Sequence, residues 1–409
     1  MNILLIAPYY APSSEVPSVR MISLSNYLIQ QGHSVCVVCY SKEKLMTWYS
    51  ETELSSQIPK GVNCIGCNIK LNAFCSFIPY LSDIIEGKKF KKLLPDLVNL
   101  KEFDAILITC GPYFTLEAIP MIRKKYNTPC VLDFRDLGAI NYRPQLKTEK
   151  TRSDFWKRPI KALLKYVTRK REYKAVHAAN NVICISAIDR EKMQDAYNIP
   201  SEKLYVATNG FDEERLSNIE ALPKSKQITV AVFGKFMYYS KERATAVLCS
   251  IDRLRKEGYP VKLLHIGRRY PWIDSAIKEN CISYECYENK GLMEYAKGMA
   301  ILGSADLFVV EDTSPDDVGT KIYDYIFWNK PVIAAVPKEI PLASLVNSFE
   351  HGYACDSKEE IFNAIKDVLD HKFENLDSKL DVMKYSRICQ NQIIENVLKK
   401  SGRQEGRSF

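Results

Sequence analysis

Apolar residues recur along this chain in two alternating rhythms. Predominantly apolar runs fall at 3–7, 34–40, 105–109, 130–134 and 181–185. Runs of that length, bounded by Gly, Pro or polar residues, predict strands buried on both faces of a parallel sheet. Between the first two runs, Met21, Leu24, Leu28 and Ile29 recur at helical spacing over 19–31, and Gly32 closes the pattern. Strand, helix and strand in that order make a βαβ unit. The intervening 8–17 carries Pro8, Pro12 and Pro17 and reads as a long loop. A short strand at 204–207 and a turn at Asn209-Gly210 end this first series.

The alternation restarts after the polar stretch 217–227. Strands are expected at 228–233, ending at Gly234, and at 261–266, ending at Gly267, with a helix at 244–257 closed by Gly258 between them. Further strands fit 307–310 and 331–335. Ile388, Ile393, Ile394 and Val397 give a last helical pattern over 385–400, and 401–409 is polar enough to be expected disordered. The expected organisation is two α/β domains, 1–216 and 217–384, with 385–400 as an additional helix.

Composition narrows the class. A chain of 409 residues with 46% hydrophobic content supports two cores. No apolar run reaches the ~18 residues of a membrane span. The thirteen cysteines lie mostly in strand-like runs, and Cys36 and Cys39, three apart, fall on opposite faces of a strand. Buried reduced thiols fit this usage better than a zinc site built with Cys64 and Cys67. The net charge of +8 is concentrated: 147–174 holds eleven basic and three acidic residues. Trp156, Ile160, Leu163, Leu164 and Val167 form a helical stripe there. That stripe is expected to pack on the domain core beneath a solvated basic face. Basic and apolar residues together also suit an anionic membrane surface.

Candidate chemistry concentrates at Asp316-Asp317-Val318-Gly319-Thr320-Lys321-Ile322-Tyr323-Asp324. An acidic turn runs through one glycine into a helix, with Asp316 before the helix and Asp324 inside it. The N–H groups of Gly319, Thr320 and Lys321 fall where a helix start presents donors to phosphate. Lys235 and Lys241 follow the strand at 228–233, beyond a carboxyl end where α/β sheets bind ligands. Asp133-Phe134-Arg135-Asp136 follows another strand in the same way. Each of these also has a purely structural reading: solvated lysines, a helix-dipole aspartate, an Asp–Arg pair tying down a loop. Asp324 fits that reading least, because it lies among apolar helix positions.

Four pieces in order resemble retaining GT-B glycosyltransferases of the large sucrose-synthase/mannosyltransferase-like class. They are Ile6-Ala7-Pro8-Tyr9-Tyr10-Ala11-Pro12 with Arg20 and Gln31-Gly32-His33; Ile183-Cys184-Ile185-Ser186 with Asn209-Gly210-Phe211-Asp212; Val232-Phe233-Gly234-Lys235 with Lys241; and the acidic motif. The resemblance implies two Rossmann-like domains facing each other across a cleft, the first on the acceptor side and the second holding the nucleotide sugar. It implies that the last helix packs back on the first domain. Asp316 would act on the transferred sugar and Asp324 on the ribose. Lys235, Lys241 and the 319–321 segment would hold the diphosphate, while Arg135 and Asp136 would orient acceptor hydroxyls. Two departures stand out. The family signature is Glu, seven residues, Glu, where this chain has Asp twice. The family's glycine pair in the first loop is replaced by Ser13-Ser14-Glu15-Val16-Pro17-Ser18.

The expected reaction is transfer of a hexose from a nucleotide sugar to a glycan or lipid-linked glycan, with retention. No metal or other cofactor is expected, since amides and lysines would neutralise the diphosphate. The resemblance suggests polysaccharide biosynthesis in the cytoplasm, peripheral to the inner membrane face. The rival enzyme reading is a GT-B sugar-nucleotide epimerase, and the rival outside enzymology is a non-catalytic glycan- or partner-binding protein. A nicotinamide dehydrogenase is disfavoured, since the first strand leads into Pro8-Tyr9-Tyr10 and not Gly-x-Gly-x-x-Gly. Nucleic-acid binding is not expected, because the basic excess is one segment without a binding motif.

Overall fold

The computed structural model describes residues 1–13, 16–46, 57–69, 81–140, 153–311, 318–371 and 382–405, and the side chains of 16, 153–161 and 403–405 are outside it. The chain divides into two compact units, Met1–Thr208 with Ile388–Phe409, and Asn209–Arg387. Each unit is built on a parallel sheet.

In the first unit the strands are β1 (Asn2–Ile6), β2 (Ser34–Tyr40), β3 (Val62–Cys67), β4 (Ala105–Cys110), β5 (Cys130–Phe134), β6 (Asn181–Cys184) and β7 (Leu204–Val206), in the order β3-β2-β1-β4-β5-β6-β7. Leu4 and Ile6 of β1 face one hydrophobic core, while Ile3 and Leu5 face the other, as period-two alternation requires. The helix Val16–Gln30 covers the second face with Met21, Leu24 and Leu28. It starts one residue before Pro17, which suits a first helical turn, where its missing N–H breaks no bond. Helical structure therefore begins inside the stretch that the prolines mark as loop.

The helix Arg387–Glu405 closes the same face through Ile394, Val397 and Leu398. Its Glu395 accepts from Tyr27 Oη at 3.1 Å and pairs with His33 Nε2 at 2.8 Å. The helix runs beyond the expected end at 400. Ser401 is fully buried and takes a 2.7 Å hydrogen bond from Asn181, a buried polar contact that composition does not reveal.

In the second unit β8 (Ile228–Phe233), β9 (Val261–Ile266), β10 (Tyr287–Asn289), β11 (Leu307–Val310), β12 (Val332–Ala335) and β13 (Gly352–Cys355) run in the order β10-β9-β8-β11-β12-β13. Val230 and Val232 pack under the helices Lys241–Lys256 and Lys358–Asp370 through Val247, Leu254, Ile361 and Ile365. Ala231 faces the opposite core with Met299, Ile322, Tyr323 and Leu342. Residues 209–216 belong with this unit. Phe211 N–H donates to Tyr385 at 3.0 Å and Arg387 N–H donates to Phe211 at 2.8 Å.

Three strands absent from the sequence reading, β3, β10 and β13, are all sheet edges. Val62–Cys67 is exposed or half-buried at every position but Cys67, and Tyr287–Asn289 spans only three residues. An edge strand has one covered flank and does not need a continuous apolar run. Cys39 and Cys64 meet across β2 and β3 with their sulfurs 3.4 Å apart. Among the described residues no three metal-ligating side chains gather.

The expected apolar stripe on the basic helix is corrected at Leu163. In the helix Ser153–Ala178, Leu163 is 61% exposed and Tyr166 62%. The buried residues are Thr168, Glu172, Ala175 and Val176. Among the described side chains Leu164 and Val167 are half-buried, and the buried positions all lie from Thr168 onward. Trp156 and Ile160 lie outside the described side chains.

Candidate functional site

In the second unit the chain winds outward from β8 through β9 to β10, then returns to β11 on the other side of β8. Such a reversal opens a crevice at the carboxyl ends of the two central strands. The β8–β11 ladder covers only Leu307↔Val230 and Phe308↔Ala231. Where it stops, the fully buried Tyr325 bridges the strands: its hydroxyl accepts from Phe233 N–H at 2.8 Å and donates to the Val309 carbonyl at 3.3 Å. Tyr325 belongs to the helix Lys321–Phe327, so this phenol anchors the helix of the acidic motif at the reversal point.

Gly319 has φ +70°, a backbone that L side chains adopt at a cost, and this turns the chain into the helix. Thr320 precedes the helix without a side-chain cap. The helix has only seven residues, so its dipole is short and anion attraction must come mainly from side chains. Lys321 supplies one: a Cβ on Gly234 would lie 2.9 Å from Lys321 Cε and 3.4 Å from its ammonium. The lysine therefore crosses the glycine that ends β8, where a larger residue would displace it. Lys235 joins from the next position. Its ammonium lies 5.9 Å from the Tyr239 ring centre and that of Lys321 lies 5.5 Å from it, so both are held around one aromatic ring. Lys241 is placed apart, 5.0 Å over Trp272, which stacks on Tyr270 at 4.6 Å.

Asp324 lies one helical turn beyond Lys321 and accepts a 2.7 Å hydrogen bond from Tyr295 Oη. The Tyr295 ring stands edge-on to Phe233 at 6.2 Å, with the Arg215 guanidinium 4.0 Å over it. Burial pushes the Asp324 carboxyl up to about 6, against the Tyr295 hydrogen bond and the positive charges of Arg387 and Arg215, and Asp212 adds to the rise. A raised acid binds its proton in the folded state over the window from about 4 to about 6. The associated stability is complete below that window and lost as pH rises through it. Ionised Asp324 thus costs the ligand-free fold on the order of 1–3 kcal/mol at neutral pH. Asp324→Asn is expected to raise the melting temperature at pH 7.5, with the gain vanishing near pH 4. A melting temperature that falls at pH 7.5 would contradict the carboxylate being held at a cost.

His265, the polar residue of the otherwise apolar end of β9, is fully buried beneath Gly234. Its Nε2 lies 2.8 Å from the Gly234 carbonyl oxygen, and its Nδ1 lies 2.8 Å from Tyr287 Oη and 3.0 Å from Asn289 Nδ2. Burial and the positive charges of Lys321 and Arg269 hold its pKa below the usual imidazole value, against the Gly234 hydrogen bond. Gly267, just past β9, allows this approach: a Cβ there would fall 2.0 Å from Gly234 O.

The acceptor-side candidates lie in the first unit. Asp133 is wholly buried in a two-point ion pair with Arg20, at 2.9 and 3.1 Å. Arg135 is half-buried and its guanidinium donates to the Gly111 carbonyl. Asp136 is exposed beyond β5, and its carbonyl accepts from Tyr113 Oη at 2.9 Å. Asp316 lies outside the described residues. The structure therefore gathers Lys235, Lys321 and Asp324 at one crevice with Gly319 and Thr320. Lys241 stands apart over Trp272, and Arg135 and Asp136 follow β5 of the other sheet.

Sequence reasoning missed His265, Tyr295, Tyr325 and Arg215. Only His265 carried a local signal, a titratable residue inside an apolar strand just before a glycine.

The fold, two parallel-sheet α/β domains, is that of GT-B glycosyltransferases. Residues 18–215 match the family model described as Glycosyltransferase Family 4. Among solved structures, HepE of Anabaena in complex with UDP matches with a TM-score of 0.60 at 16% identity, covering 98% of this chain and 100% of that one. A glycosyltransferase of Rickettsia africae matches at 0.57 and 14%, covering 99% and 96%. MnaA of S. aureus with UDP matches at 0.52 and 14%, covering 98% and 96%. No curated protein sequence matches the chain significantly.

Proposed function

We propose that this protein is a glycosyltransferase that moves a hexose from a nucleotide sugar to a glycan or lipid-linked glycan acceptor, with retention at the anomeric carbon. The observation that carries the reading is that two ammonium groups, Lys235 and Lys321, lie around the Tyr239 ring at the end of β8, with the Asp324 carboxyl one turn further along the helix of Lys321. Ammonium groups suit a diphosphate, and a carboxylate accepting hydrogen bonds suits vicinal hydroxyls. Structures of the same fold that hold UDP and UDP-glucose support a uridine nucleotide as the first donor to try.

In this reading the diphosphate rests on Lys321, Lys235 and the 319–321 segment, with Lys241 apart over Trp272. Asp324 takes the ribose hydroxyls and Asp316 the transferred sugar. The bond from the anomeric carbon to the donor phosphate oxygen breaks and a bond to the acceptor oxygen forms on the same face. The acceptor proton passes to the departing phosphate. Arg135 and Asp136 orient acceptor hydroxyls. No metal is assigned, because the ammonium groups can carry the leaving-group charge.

Turnover of UDP-glucose with a panel of alkyl glycosides tests this, with the product's anomeric coupling read by NMR. The α-linked donor should give an α-linked product. A β-linked product would reject retention, and an epimerised donor without any acceptor product would reject transfer.

Docking at the inner face of an anionic membrane belongs to the same reading. The helix Ser153–Ala178 carries eight Lys or Arg against Asp154 and Glu172, and Leu163, Tyr166 and Tyr173 are exposed along it. Each basic residue near an anionic surface contributes about 1 kcal/mol, screened by salt. Vesicles containing phosphatidylglycerol should sediment the protein and neutral phosphatidylcholine vesicles should not. Equal binding to both, or none to either, rejects the electrostatic attachment.

A further inference from the structure

Three observations meet at the peptide joining Gly234 to Lys235. First, the Gly234 carbonyl points at His265 Nε2, at 2.8 Å. A carbonyl can only accept, so Nε2 carries the proton. Nδ1 then accepts, and the donors around it agree: Tyr287 Oη at 2.8 Å and the Asn289 amide nitrogen at 3.0 Å. Asn289 is itself held, its amide nitrogen donating to the Gly267 carbonyl at 3.0 Å. The imidazole is thus fixed as one neutral tautomer by the ends of β9 and β10.

Second, the Gly234–Lys235 peptide is not among the cis bonds, and a trans peptide directs its N–H opposite to its C=O. With the carbonyl turned onto the buried imidazole, the Lys235 N–H points away from it. Third, the Lys321 ammonium lies 3.4 Å from where a Gly234 side chain would begin. One anionic oxygen placed outside Gly234 can therefore meet both a backbone N–H and an ammonium group.

We infer that His265 is a positioning residue for the donor diphosphate: by holding the Gly234 carbonyl it aims the Lys235 N–H at the phosphate beside Lys321. This rests on the nucleotide-sugar reading of the crevice. It deepens that reading by naming a backbone donor and the side chain that sets its direction. Gly234 at φ +89° and the absence of a side chain on Gly267 are both required, since they bring the carbonyl and the imidazole together.

The experiment uses the full chain with 15N-labelled lysine and histidine, titrated with UDP. The ring nitrogens of His265 should report the Nε2–H tautomer. The Lys235 amide should shift downfield on UDP binding, as a donor to phosphate does. His265→Leu removes the hold on the carbonyl and should weaken UDP about tenfold or more, with the Lys235 shift lost. His265→Gln places an amide N–H near the Nε2 position and should restore both. A purely structural role would lower the stability of the leucine variant without moving the Lys235 amide in the folded protein.

The inference is overturned if UDP binds the natural protein and leaves the Lys235 amide unmoved, or if folded His265→Leu binds UDP as the natural protein does. If His265→Leu does not fold, the Lys235 shift in the natural protein and its retention in His265→Gln decide the matter. Failure of the natural protein to bind UDP or any other nucleoside diphosphate would instead reject the donor site itself.

Discussion

Arg20→Met should unfold the first unit about 10 °C or more below the natural protein. Arg20 makes a two-point ion pair with Asp133 at 2.9 and 3.1 Å, and its guanidinium also donates to the carbonyls of Ala207 and Thr208. It is 5% exposed and Asp133 is 0%. One side chain thereby joins the first helix, the end of β5 and the segment after β7. Replacing it leaves a buried carboxylate without its cation and two carbonyls without a donor. Breaking such a pair costs about 3–5 kcal/mol. At roughly 2–4 °C per kcal/mol for a unit of this size, the shift is large. The double change Arg20→Met, Asp133→Leu should recover much of the loss, because no charge is then left buried. Thermal melting by circular dichroism checks both. A single-variant loss below about 1 kcal/mol would mean that water reaches Asp133 and the pair does not hold the unit together.

Lys321→Ala should have the largest effect on donor binding. Its side chain crosses Gly234 at the reversal point, with Lys235 around the same Tyr239 ring. A charge-assisted hydrogen bond to phosphate is worth about 1.5–3 kcal/mol, so UDP should bind roughly 10- to 100-fold more weakly. Lys241→Ala should cost less, because that ammonium sits over Trp272, apart from the Tyr239 ring. Calorimetric titration of both variants checks the order. Unchanged affinity in a folded Lys321→Ala variant would place the diphosphate elsewhere.

Much of the architecture was legible because central parallel strands must be apolar on both faces. The strands Ser34–Tyr40, Cys130–Phe134, Ile228–Phe233 and Val261–Ile266 were readable to the residue for that reason. The edge strands Tyr287–Asn289 and Gly352–Cys355 were not, because an edge can form from short mixed sequence. The candidate site was legible where charge follows a strand end or opens a helix, as at Lys235 and Lys321, or interrupts its apolar positions, as at Asp324. It was illegible where the geometry depends on a contact distant in sequence. Tyr295 reaches Asp324 across 29 positions, and Tyr325 reaches Phe233 across 92. The basic helix misled for a related reason. Periodicity reveals that Leu163 and Val167 share a face, but not that Leu163 is exposed while Val167 is half-buried.

The most direct test of the central claim, a nucleotide-sugar site at the β8–β11 crevice, is calorimetric titration of the full chain with UDP. Saturable one-to-one binding with a dissociation constant below about 1 mM is the predicted result. It should weaken as pH falls below about 6, where Asp324 takes up its proton. No saturable heat from UDP or from any other nucleoside diphosphate at millimolar concentration would contradict the account.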